Sequence, residues 1–134
     1  MTLISTIQQE LRQAVDTVTK NASSLVACVE QGQLPDTYTN DVQQINQATQ
    51  KLYAFVERLD TPLSDKESAE AESFASTLRH DMRTPVNAIR GYSEIIAEET
   101  QDASESQEFL TSIINATDII LTNITKITPV AWKE

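Results

Sequence analysis

With 134 residues the chain can build one domain with a modest core. Two glycines and four prolines are too little turn chemistry for a many-stranded β fold, whereas abundant Ile, Leu, Val and Ala suit packed helices. A formal net charge of −10 repels nucleic-acid phosphates and anionic lipid, so neither is expected as a partner.

The first helix is expected from about Thr2 to Glu30. Leu3, Ile7, Leu11, Val15, Val18, Leu25 and Val29 recur there at helical spacing. Cys28 cannot form an internal disulfide and reads as a small core residue. Gln31-Gly32 stops the helix, because glycine accepts the left-handed cap conformation. Pro35-Asp36 and nearby threonines form a turn that leads into a second helix, from about Thr39 to Leu59. Its stripe is Val42, Ile45, Ala48 or Thr49, Leu52, Val56 and Leu59, flanked by Tyr53 and Phe55.

Pro62 punctuates the next break, and Ser64 with Glu67 predicts a capping box that starts a third helix near Asp65. That helix begins polar and acidic. It then carries Phe74, Leu78, Met82, Val86, Ile89 and Ile96, and fades at Glu98-Glu99. A turn at Asp102–Ser106, with Ser104 and Gln107 as its cap, leads to a fourth helix bearing Leu110, Ile113, Ala116 or Thr117, Ile120, Ile124 and Ile127. Pro129 is expected to end it, leaving a tail with no element.

The run 111–132 comes closest to a membrane span, but Asn115, Asp118, Asn123, Lys126 and Pro129 interrupt it. The N-terminus has no signal-peptide pattern, so a cytoplasmic location is expected. Four helices with short turns predict an all-α fold, an antiparallel four-helix bundle.

The bundle is also expected to contain a repeat. Residues 6–18, TIQQELRQAVDTV, align without a gap on residues 77–89, TLRHDMRTPVNAI, at an offset of 71. Thr, Arg and Val coincide, and Glu10 falls on Asp81. The second helix matches the fourth at an offset of 68. Two similar helical hairpins follow, a pseudo-dimer within one chain. Gln9 stands where the second copy has His80, and Ala14 where it has Pro85.

His80 is the one histidine of the chain. At about 100° per residue it points away from the Leu78 stripe and shares the outer face with Arg83, Thr84, Asn87 and Gly91. A metal site is disfavoured, since no second His and no Cys is near. Neutral imidazole is a competent nucleophile. Asp81 could accept the Nδ1 proton and leave Nε2 free to attack. Arg83 could meet a phosphoryl oxygen, and Thr84 could hydrogen-bond a water or a phosphoryl group. Pro85 inside a helix marks a bend, which could act as a hinge or only improve packing. An incidental surface histidine is the plainer alternative.

His80-Asp81-Met82-Arg83-Thr84-Pro85, followed by Ile89, Gly91 and Tyr92, resembles the H-box of two-component sensor histidine kinases. The resemblance covers about Phe74 to Ile127. It implies a dimerisation and histidine-phosphotransfer domain in which His80 is the phosphoacceptor, Asp81 the general base and Thr84 the residue that positions water in a phosphatase reaction. It also implies a receiver domain of a response regulator as partner. Arg83 and Asn87 are expected at the phosphoryl or partner-binding face, and Pro85 as a hinge.

No glycine-rich nucleotide box follows the H-box, so ATP is expected to act only through a kinase domain supplied in trans or lying in a longer protein. Magnesium would enter only through the receiver, and no cofactor is expected on this chain. The organisation expected is a degenerate hairpin at 1–60, a linker and polar helix start at 61–73, the H-box hairpin at 74–128 and a tail at 129–134. A monomeric pseudo-dimer is favoured over a homodimer. A docking or dimerisation scaffold without chemistry, or a fragment of a larger hybrid kinase or regulator, are the competing expectations.

Overall fold

The computed structural model of the chain describes residues 2–101 and 104–133. Among the described residues five helices follow in order: α1 (Leu3–Glu30), α2 (Thr39–Arg58), α3 (Asp65–Ala69), α4 (Ala71–Glu99) and α5 (Ser104–Thr125), with 3₁₀ turns at Asp36–Tyr38 and Pro129–Trp132. No strand occurs among the described residues.

Local chemistry sets the helix ends. The Thr2 hydroxyl accepts from the Ser5 N–H at 3.2 Å and caps α1. Gly32 takes φ +79° just beyond its other end, a conformation that L side chains resist. Tyr38, in the turn before α2, is buried and donates its hydroxyl to Glu99 at 2.9 Å, tying that turn to the far end of α4. This bond also holds the Tyr38 phenol above its usual pKa.

The capping box at Ser64 is present. The Glu67 N–H donates to the Ser64 hydroxyl at 3.1 Å, and the Ser64 N–H donates to the Glu67 carboxylate at 2.9 Å. Contrary to expectation, the helix it starts does not run on into the H-box. It breaks at Glu70, with φ −116° and ψ 36°, and α4 begins afresh at Ala71. The reason is packing: α3 buries no residue, so the bundle axis does not hold it. Instead Glu67 pairs with Arg58 at the end of α2, and the Arg58 guanidinium lies 5.5 Å from the centroid of the Phe74 ring.

The C-terminal expectation also needs correcting. α5 stops at Thr125, before Pro129, and the tail is not structureless. Pro129 opens a 3₁₀ turn, as its fixed φ favours. That turn buries Ala131 and sets Trp132 against Phe74, with ring centroids 5.9 Å apart. Leu3 was expected in the α1 stripe but is 46% exposed, and Ile4 takes the core position instead. Val29 is half-buried, while Cys28 is buried and its thiol pKa is pushed up by burial. The expected turn at 102–106 falls in part on residues 102 and 103, outside the described residues, as does a cap by the Ser104 side chain. Gln107 closes this region, donating to the Ala97 and Thr100 carbonyls at 3.0 and 2.8 Å.

The long helices pack as the four sides of a square. α1 touches α2 and α5, and α4 touches α2 and α5, so α1 and α4 lie across one diagonal. The two hairpins bury equivalent positions. Ile4, Ile7, Leu11, Ala14, Val15, Val18, Ala22 and Leu25 of α1 fall, at an offset of 71, on Ala75, Leu78, Met82, Pro85, Val86, Ile89, Ser93 and Ile96, and all sixteen are buried. Val42, Ile45, Ala48, Thr49, Leu52, Val56 and Leu59 fall likewise, at an offset of 68, on Leu110, Ile113, Ala116, Thr117, Ile120, Ile124 and Ile127. The closing turns agree as well: the Leu59 N–H donates to Val56 at 3.1 Å, and the Ile127 N–H to Ile124 at 3.0 Å.

Candidate functional site

The site stands on the outer face of α4. Leu78, Met82, Val86 and Ile89 anchor that helix in the core, which forces the residues between them outward. The His80 side chain is 83% exposed, and its Nδ1 lies 3.5 Å from Asp81 Oδ1. That is slightly longer than a made hydrogen bond and within reach of a small side-chain adjustment. The Thr84 hydroxyl donates weakly to the His80 carbonyl at 3.4 Å. Asn87 is exposed one turn further on.

Arg83 is half-buried and, among the described residues, has no ion pair. The other arginines of α4 are engaged. Arg79 donates to the Ile127 carbonyl at 2.5 Å. Arg90 pairs with Glu94 at 2.8 Å and with Asp118, and those carboxylates hold its guanidinium more firmly protonated.

Pro85 is buried, and α4 runs through it without interruption. A proline has no N–H to return to the carbonyl four residues earlier, here that of Asp81. Gly91 is exposed, and a Cβ added there would meet nothing within 4 Å, so its neighbours in this chain do not enforce its small size.

The site has a second wall that sequence reasoning did not assign. Lys51, Ala54 and Phe55 of α2 face Asp81, Thr84 and Pro85 across a groove of about 480 Å³. The groove continues along Arg58, Phe74, Thr77 and Leu78 in a further section of about 400 Å³. The signal was latent in the repeat: two hairpins packed about a diagonal set the second helix of one against the first helix of the other.

The diagonal counterpart is the α1/α5 groove, of about 430 Å³. Four of its lining residues are the equivalents of residues that line the α2/α4 groove: Glu10 for Asp81, Gln13 for Thr84, Ala14 for Pro85 and Ile119 for Lys51. Gln9 is exposed where α4 has His80. Arg12, the equivalent of Arg83, bonds Glu57 at 3.0 Å and Asp60 at 3.1 Å.

Among the described residues, no helix is long and apolar enough to cross a membrane. Searches of curated proteins and of solved structures gave no significant match. Residues 70–134, which contain the whole His80 face of α4, match the family model of the His Kinase A (phospho-acceptor) domain. The match supports a two-component histidine kinase dimerisation and phospho-acceptor domain over this segment, a family of signal-transduction modules that work with kinase and response-regulator partners and often dimerise.

Proposed function

We propose that His80 takes up a phosphoryl group and passes it to an aspartate of a response-regulator receiver domain, as a step in a phosphorelay. The observation that carries the reading is the exposed imidazole of His80, inside the segment that matches the phospho-acceptor family model, with Nδ1 3.5 Å from Asp81 Oδ1. Asp81 holds the Nδ1 proton, so the Nε2 lone pair attacks phosphorus and the donor's bond to phosphorus breaks. In the second step a receiver carboxylate oxygen attacks phosphorus, the N–P bond breaks, and His80 leaves as neutral imidazole. Thr84 positions water where the phosphoryl group is hydrolysed instead, Arg83 and Asn87 meet the phosphoryl group or the partner, and Pro85 serves as a hinge.

The first hairpin, residues 1–60, replaces the second chain of a dimer and contributes no nucleophile. The working unit is then one chain with one phosphate. ATP acts only through a separate kinase domain and magnesium only through the receiver, in the cytoplasm.

The test uses phosphoramidate, a small donor with an N–P bond that needs no kinase. Wild-type protein should gain acid-labile phosphate, lose it to an added receiver domain, and do neither as His80→Gln. Equal uptake by wild type and His80→Gln overturns the reading. Receiver binding that is indifferent to His80→Gln, without labelling, favours a docking scaffold.

A further inference from the structure

The two diagonal faces differ in more than the histidine. On the α1 face the arginine beside the nucleophile position, Arg12, is neutralised by Glu57 and Asp60. At the offset of 68, those acids correspond to Thr125 and Thr128. The acids are thus replaced on the α5 side of the His80 face, where Arg83 has no ion pair among the described residues. On the other side, the groove beside Asp81 and Thr84 holds Lys51, an exposed cation with no hydrogen bond or ion pair among the described residues. Its equivalent in the α1/α5 groove is Ile119, apolar and 51% exposed. By helical spacing Arg83 and the Asp81–Thr84 side that faces Lys51 lie on opposite sides of His80, whereas the positions flanking Gln9 hold the paired Arg12 on one side and an apolar Ile119 on the other.

We infer that Lys51 and Arg83 form a clasp for the phosphoryl group on His80, Lys51 reaching it from the first hairpin and Arg83 kept available by the threonines at 125 and 128. A phosphoryl group carries its charge on outer oxygens, which cations on two sides of the nucleophile neutralise better than one. The first hairpin then takes part in the chemistry as well as completing the bundle. Lys51 acts as a phosphoryl-binding residue, and Thr125 and Thr128 act through Arg83 by not competing for it. This inference rests on the phospho-acceptor reading of His80.

The test measures the phosphoramidate labelling rate at low and high salt, together with the ring-proton NMR signals of His80, which as the only histidine reports without interference. Lys51→Ile and the double variant Thr125→Glu/Thr128→Asp install the residues of the blank face. Each should slow labelling about three- to tenfold at low salt, chiefly through a raised KM for phosphoramidate, and the gap should narrow at high salt because the site is exposed. Lys51→Arg should restore most of the rate, and Arg12→Ala should leave it unchanged. Circular dichroism confirms folding, and Thr125→Glu alone replaces the double variant if that variant unfolds. Rates within about twofold of wild type for both changes, in folded protein at low salt, overturn the clasp while leaving His80 as acceptor. Wild-type labelling no faster than His80→Gln overturns the acceptor reading itself, and the clasp with it.

Discussion

The α4 face and the α1 face share one frame and differ in chemistry. Eight positions along each helix are buried in register, so the core keeps both halves of the bundle alike. Outside that core, Gln9 and Gln13 stand where α4 carries His80 and Thr84, and within it Ala14 stands where α4 carries Pro85. The contrast separates two kinds of position: the buried ones are apolar on both faces with few exceptions, whereas the exposed polar ones differ between the faces. Charge follows the same division. Arg12 serves as a strut between α1 and α2, and its counterpart Arg83 is left open.

The largest effect should come from moving the nucleophile. His80→Gln should abolish phosphoramidate labelling, and Gln9→His added to it should restore less than about a tenth of the wild-type rate, because the α1 face has its arginine paired and no lysine. Peptide mapping of the labelled site checks this. Full recovery would mean that the histidine alone matters and would break the comparison of the two faces.

Next come the paired core positions. Leu11→Ala and Met82→Ala remove equivalent side chains that are both fully buried, and each should cost about 2–5 kcal/mol in urea unfolding. Similar losses would sharpen the equivalence of the hairpins. A large loss at Leu11 with none at Met82 would make the H-box hairpin a marginal appendage.

Pro85→Ala should stabilise the chain. Ala14 already occupies the equivalent buried position, so alanine fits there, and the change gives the Asp81 carbonyl a helical partner. A gain of about 1–3 kcal/mol is expected in the same urea assay. A loss would show that the ring fills space that alanine leaves empty.

The smallest effect concerns the tether between the halves. The Ser64 N–H and then Arg58 hold the Glu67 carboxylate below its ordinary pKa. A depressed folded pKa contributes stability that is present above the unfolded Glu value, about 4.3, and is lost as pH falls through the folded value. Amide exchange of residues 65–69 should therefore quicken as pH falls below the unfolded Glu value, relative to its intrinsic rate, and Glu67→Gln should show the quickening already at neutral pH.

Much of this was legible in the sequence because apolar periodicity reports burial directly. Leu78, Met82, Val86 and Ile89 marked the core side of α4, and that placed His80 on the outside. The repeat foretold the pseudo-twofold packing. What escaped was set by contacts remote in sequence. The break at Glu70 follows from Glu67 turning to Arg58, and the final turn from Trp132 meeting Phe74. Lys51 gave no local signal, since it is an exposed lysine on a helix until α4 is packed beside it.

Native mass spectrometry of the phosphoramidate-treated chain tests the single-face, single-chain design most directly. One chain of 14.9 kDa carrying at most one phosphoryl group, absent from His80→Gln, is the expected result. A two-chain particle, or a phosphoryl group that survives the loss of His80, would contradict it.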